Sequence, residues 1–390
     1  MNRRLVPLLL VLVVGLGGCA GSGGDAQDDV AVGSGPSASP APNTSTPNTS
    51  TPSTSAAPDS PAPAAGAARG LDTGPPKVLT TGLAVPWGLA FLPNGDALVS
   101  ERDSARVLRV PAAGGQPREV TTLAGVAPRG EGGLLGLAVS PSFATDSLVF
   151  AYYTSRADNR IVRFRLDRPG EVTEIVTGIP SGTTHNGGRL AFGPDGMLYA
   201  GTGDSGNTAL SQDTGSLGGK VLRMTPDGKP VEPGGSLVFS RGHRNVQGLA
   251  FDDAGRAYSV EFGQNRFDEV NQITAGSNGG WPDVEGADDG GGRFLAPVTT
   301  WRTSESSPSG ATFVGGNLWV AALRGERLWR VPLDGQGGAG APEALYTGEF
   351  GRLRTAERAP DGSLWIMTSN RDGRGDPGRE DDRILRLAAK

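Results

Sequence analysis

Only two histidines occur among the 390 residues. One of them, His185, stands in the stretch SGTTHNGGRLAFGPDGMLYAGTGDSGN, residues 181–207. Apolar runs at 190–192 and 197–200 flank a Gly-Pro-Asp-Gly sequence, whose residues turn tightly at little conformational cost, so the stretch is predicted to be a β-hairpin. A regular pairing centred between Pro194 and Asp195 sets His185 opposite Asp204. Directly opposed side chains in an antiparallel pair have Cβ atoms about 4.5–5.5 Å apart, close enough for a carboxylate to accept an imidazole N–H. That juxtaposition is half of a general-base arrangement.

The second histidine, His243, lies between Gly242 and Arg244 and reads as a hydrogen-bonded scaffold residue rather than a chemical one. In EFGQNRFDEVN, residues 261–271, three carboxylates surround Gly263. A backbone turned there directs carbonyls at a cation, which suits calcium with its six to eight oxygen ligands. A solvated acidic loop is the alternative reading. With two histidines and one cysteine, a zinc site is nearly excluded.

The elements that must position these residues follow from a repeat. The phrases LPNGDALVSE, PSFATDSLVFAYY, GPDGMLYAGTG, DDAGRAYSVEFG, VGGNLWVAAL and APDGSLWIMTS each pass from a turn into a second strand, with Ala97, Leu148, Leu198, Ala257, Leu318 and Leu364 equivalent. Four of them follow a matching first strand: WGLAF, LGLAV, GRLAF and QGLAF. Units of this size carrying short strands predict an all-β fold, a six-bladed β-propeller over residues 77–390. Residues just beyond given strand ends then converge on one central mouth. That face collects His185, Arg244, Asn245, Arg352 and Arg354. Clustered guanidinium groups repel one another unless an anion sits among them, and arginine prefers planar oxyanions. A polycarboxylate or phosphate ligand is therefore expected.

The rest of the chain bounds location and partners. Arg3 and Arg4 precede an apolar run ending in LGGC, the pattern of a signal peptide over residues 1–18 with lipidation at Cys19, the only cysteine. Residues 19–76 are mostly Pro, Ser, Thr, Ala and Gly and read as a disordered tether that cannot form a core. The expected location is extracytoplasmic, on a bacterial cell membrane through a lipid anchor only. A formal net charge of −5 and no Lys/Arg block argue against a nucleic-acid partner.

RGEGGLLGLA, HNGGRLAFGPDGMLYAGTGD, LGGKVLRMTPDG, GHRNVQGLAFD, EFGQNRFDEVNQI with GGWP, and GRLR, in that order, resemble the motifs of the soluble quinoprotein glucose dehydrogenases and the wider glucose/sorbosone dehydrogenase family. The resemblance covers most of residues 77–390. It implies a propeller that binds pyrroloquinoline quinone (PQQ) and calcium and oxidises an aldose to its lactone, passing electrons to an unnamed acceptor. Carried over by position, His185 is the base, Asp204 orients it, and Arg244 and Asn245 contact the reacting quinone edge. Arg352 and Arg354 hold cofactor carboxylates, with Glu131 and Arg324 also beside the cofactor. The carbonyls of Gly263 and Gln264 bind one calcium, and Glu269 and Asp289 a second, structural one. The chain departs from the family at Thr184 for Asp, Glu131 for Gln, Gln264 for Pro and Arg324 for Lys. A non-catalytic surface propeller that binds glycan or protein, and a calcium-dependent lactonase, are the alternatives.

The lipid anchor is testable alone. Cys19→Ala is expected to release the protein from membranes or leave it unprocessed, read by fractionation and mass spectrometry of the N-terminus. Unchanged partition and processing would rule the anchor out.

Overall fold

The computed structural model describes residues 70–390; the predicted signal peptide, Cys19 and residues 19–69 of the tether lie outside them. Six four-stranded antiparallel sheets form six propeller blades, as the repeat implies. The innermost strands of blades one to six are Pro86–Phe91, Leu134–Val139, Leu190–Phe192, Val246–Phe251, Pro308–Val314 and Leu353–Arg358. The six equivalent residues of the repeated phrase are the first residue, or for Leu318 the second, of the second strand of each blade.

Each blade face is apolar because its neighbour covers it. Six separate hydrophobic clusters fill the six spaces between blades. The cluster between blades four and five, for instance, packs Tyr258, Val260 and Val270 against Leu318, Val320 and Trp329. The ring is closed by a strand from the other end of the chain. Lys77–Thr80 pairs with Ile384–Leu387 and supplies the outer strand of blade six.

Residues 70–76, assigned above to the tether, belong instead to the propeller. Leu71 is buried and bridges to Ala389, and the Tyr346 hydroxyl donates to the carbonyls of Thr73 and Gly74. The physical reason is Leu71 itself, a large apolar side chain that gains by docking on the closing sheet.

One repeated irregularity aims side chains into the central channel. In five blades the register of the innermost strand slips near its mouth end, between Pro86 and Leu89, Leu134 and Leu137, Val246 and Gly248, Pro308 and Ala311, and Leu353 and Thr355. Such bulges redirect a side chain and occur at barrel rims beside sites. Here Trp87, Gln247, Ser309 and Arg354 lie within the slipped segments. The Arg354 guanidinium reaches Gln247 Oε1 at 2.7 Å and lies over the Trp87 ring at 5.6 Å.

Closure by the N-terminal strand predicts a sharp boundary for truncation. Removing residues 1–69 should leave thermal stability unchanged. Removing residues 1–80 deletes Leu71 and Leu79, both buried, and should cost on the order of 5 kcal/mol, read by denaturant unfolding.

Candidate active site

The hairpin forms, but in a different register from the regular one. Leu190 pairs with Ala200, Ala191 with Tyr199 and Phe192 with Leu198, so the centre lies on Asp195. The turn closes with the Gly193 N–H donating to the Met197 carbonyl, with Gly196 in the left-handed region. Continued outward, that register would set His185 against Ser205, and the Ser205 N–H does donate to the His185 carbonyl at 3.1 Å. The regular strand ends at Leu190, however, and the chain before it turns through positive φ at His185, Gly187 and Gly188. This irregular loop, not strand pairing, brings His185 Nδ1 to 2.7 Å from Asp204 Oδ1.

A non-glycine residue in the left-handed region is held there by its surroundings. The His185 N–H donates to Glu131 Oε2 at 3.0 Å, and the Gly187 N–H donates to Asn245 Oδ1 at 3.0 Å. The Tyr152 hydroxyl donates to the Asn186 carbonyl at 2.9 Å. Gly203 permits the close approach, because a Cβ there would collide with the His185 carbonyl.

Asp204 is fully buried and its carboxylate is completely engaged. Besides His185, it accepts from the Gly206 N–H at 2.8 Å and from Trp281 Nε1 at 2.9 Å. Burial alone would raise its pKa, but these donors outweigh burial and hold the carboxyl below its usual value. On the other side of the ring, Arg244 Nη2 lies 2.8 Å from His185 Nε2. An ionised carboxylate only accepts and a guanidinium only donates, so Nδ1 carries the proton and Nε2 the lone pair. The imidazole is therefore held in the tautomer a base needs. Arg244 donates in turn to Gln264 Oε1, from Nε at 2.9 Å and Nη2 at 2.6 Å.

His243 repeats the pattern one layer deeper, with Nδ1 against Glu261 Oε1 and Nε2 against Ser240 Oγ, both at 2.7 Å. Fully buried and with both nitrogens occupied, it is a scaffold residue, as its sequence context suggested.

Arg352 and Arg354 converge, yet the expected ligand is not required to reconcile them. Asp372, which sequence reasoning missed, accepts from Arg352 Nη2 at 2.9 Å and lies 3.6 Å from Arg354 Nη2. Burial opposes its charge, but the two arginines hold its carboxyl below the usual range. One carboxylate shared by two guanidiniums leaves the pair with positive charge to spare. The same loop sends Arg374 across to Glu131 Oε1 at 2.9 Å. Trp87, Arg102, Gly130, Phe262, Leu323 and Arg354 help to line a cavity of about 250 Å³ at this mouth. Arg354 Nε and Asn245 Nδ2 are buried without a hydrogen-bond partner among the described residues. A planar polycarboxylate such as PQQ fits this combination of flat walls, surplus positive charge and unused donors. Arg324 is exposed in the turn after Asn317–Ala322 and is not drawn into this network.

The acidic loop is arranged differently from its expected calcium geometry. The N–H groups of residues 264–267 all point at Glu285 Oε1, at 2.8–3.2 Å, an anion-holding turn whose carboxylate is supplied from within the chain. The carbonyls of Gly263 and Gln264 accept no hydrogen bond from the described residues. Two protein oxygens fall short of a calcium coordination shell, so a cation there needs further oxygens from a bound molecule or water. Glu269 does not meet Asp289, which instead accepts the Gly291 N–H within its own turn. Glu269 shares a small cavity with Glu261 and Glu285, and burial with repulsion from Glu261 raises its pKa to about 8. Among the described residues, no three histidine, cysteine or acidic side chains already form a metal-ligating group.

The fold and this mouth define a six-bladed propeller enzyme with a histidine–aspartate dyad beside an arginine-lined cavity. The family model for glucose/sorbosone dehydrogenases matches residues 83–385, and the chain belongs to that family. It is 54% identical to the PQQ-bound aldose sugar dehydrogenase of Streptomyces coelicolor, over 80% of this chain and 97% of that one, with a TM-score of 0.77. A putative oxidoreductase (glucose dehydrogenase) of Thermus thermophilus is 42% identical over 82% of this chain and all of that one, with a TM-score of 0.73. The aldose sugar dehydrogenase YliI of Escherichia coli is 28% identical over 76% of this chain and 90% of its own length.

Because the Asp204 pKa lies below 3.8 in the folded protein, its ionised form contributes stability that is present above pH 3.8 and lost as pH falls through the folded value. Asp204→Asn should therefore be less stable than the parent near pH 6. The difference should shrink below about pH 4, as measured by urea unfolding across pH.

Proposed function

We propose that the chain is a PQQ- and calcium-dependent dehydrogenase that oxidises an aldose at its anomeric carbon to the lactone, at the outer surface of the cell. The observation that carries the reading is the His185 ring, held with Nδ1–H on Asp204 and its Nε2 lone pair on Arg244, beside an arginine pair with charge to spare. Membership of the dehydrogenase family and the PQQ-bound relative support it. The surface location rests on the N-terminal pattern around Cys19.

Oxidation of the sugar removes the anomeric hydroxyl hydrogen as a proton and the anomeric C–H hydrogen as a hydride, leaving the carbonyl of the lactone. His185 Nε2 takes the proton, and Asp204 stabilises the imidazolium that results. PQQ, when bound, supplies the acceptor for the hydride, and calcium, when bound, supplies Lewis-acid polarisation of that acceptor. Arg352, Arg354 and Asn245 would hold the cofactor's carboxylates and rim, and the Gly263 and Gln264 carbonyls would hold the calcium. Arg244 adds positive charge where negative charge develops.

Reconstitution tests these roles separately. The parent is expected to retain PQQ with calcium, seen in its absorbance, and to reduce a dye acceptor with at least one of a panel of aldoses. His185→Ala should retain PQQ but lose about a hundredfold or more in turnover. Arg352→Ala should instead weaken PQQ retention. A parent that holds no PQQ in the presence of calcium would leave the non-catalytic binding propeller as the better account.

A further inference from the structure

The base assigned above needs its Nε2 lone pair, and in this structure that lone pair is engaged by Arg244. What aims Arg244 is a single neutral side chain. Gln264 Oε1 accepts from both Nε and Nη2, while the Phe262 carbonyl lies at 3.3 Å from Nη1 and the Trp281 ring at 5.6 Å from the guanidinium carbon. Burial pushes the Arg244 pKa down, with Asp204, Glu131, Glu285 and Glu261 pulling it back. None of them pairs with its guanidinium, so direction comes from hydrogen bonds and not from an ion pair.

Gln264 is well placed to supply that direction. It follows strand Ala257–Glu261, and its own N–H is tied to Glu285 Oε1 at 2.8 Å along with the next three amides. The backbone under the amide side chain is thus fixed, although the residue is exposed. Any side-chain oxygen acceptor at that reach, amide or carboxylate, can take the same two N–H groups and aim the guanidinium.

We propose that Gln264 is a positioning residue. Its side chain holds Arg244 against His185 Nε2 until the sugar hydroxyl takes that place, keeping the base in the Nδ1–H tautomer and the guanidinium at the edge of the mouth beside the incoming oxygen. The catalytic part of this inference rests on the reading of His185 as the base. The structural part does not.

The two-histidine composition supplies the test. In the full-length protein carrying 15N-labelled histidine, before cofactor loading, His243 is a buried internal standard and His185 the reporter. Gln264→Ala is expected to move the His185 Nε2 resonance and leave the His243 resonances in place, which also shows an intact fold. Gln264→Glu, which keeps an acceptor at the same reach, should preserve the parental His185 signals. After loading with PQQ and calcium, Gln264→Ala should lose about tenfold or more in kcat, the scale of a misaimed group. PQQ retention should stay within about threefold of the parent and Gln264→Glu should recover turnover. An unmoved His185 resonance in Gln264→Ala, an unchanged kcat, or equal impairment of both variants overturns the proposal. Failure of the base reading is seen separately, as parental turnover in His185→Ala.

Discussion

The hydrogen bond between His185 and the buried carboxylate of Asp204 sets the terms for the rest of the mouth. A carboxylate removed from water must be partnered on all sides or give up its charge. Asp204 is partnered by His185, by its own turn through Gly206, and by Trp281 from a distant loop. Trp281 is placed in turn by Gln212, which donates to its carbonyl at 2.8 Å. Satisfying one buried charge thus ties together loops of blades three and four, and a fixed imidazole is the consequence.

Charge is balanced locally around the mouth, and the balance is incomplete where it matters. Glu131 is divided between the His185 N–H and Arg374, so the loop carrying the base is tied to the loop carrying Asp372. Asp372 serves two arginines, and Gln247 meets Arg354 with a neutral oxygen. Burial presses the Arg354 pKa downward, yet a guanidinium remains protonated near neutrality. The residual positive charge and the unpartnered Arg354 Nε make this part of the cavity receptive to a carboxylate.

The glutamates behind the loop form a second, drier system. Glu261 accepts from His243, from the Arg244 N–H and from Asn271, while Glu269 accepts from the Gly286 N–H and from Asn271. These contacts hold the backbone that presents Arg244 and Gln264. Chemistry at the mouth therefore rests on a polar layer that is largely buried.

Periodicity alone was enough to reveal the six blades, because each repeat must bury both faces against neighbours and so carries the same apolar phrase. The short list of mouth residues was also legible, since strand ends converge in a propeller whatever the details: His185, Asp204, Arg244, Asn245, Arg352 and Arg354 do share one face. What only the tertiary structure decided is how they meet. The one-residue change in the hairpin register arises from a turn that closes on Met197, and the His185–Asp204 contact comes from left-handed backbone that no strand rule describes. Arg374 and Asp372 have no local signal, and Trp281 and Gln247 stand inside the motifs GGWP and GHRNVQGLAFD that give no hint of their roles, because each takes its role from a contact distant in sequence or from a loop beyond its strand. Asp289 and Glu269 do not meet, since Glu285 between them returns to the amides of residues 264–267 and Asp289 stays within its own turn. Spacing along the chain bounds which side chains reach the mouth; the bulges, turns and buried charges that fix their partners exist only once the ring has closed.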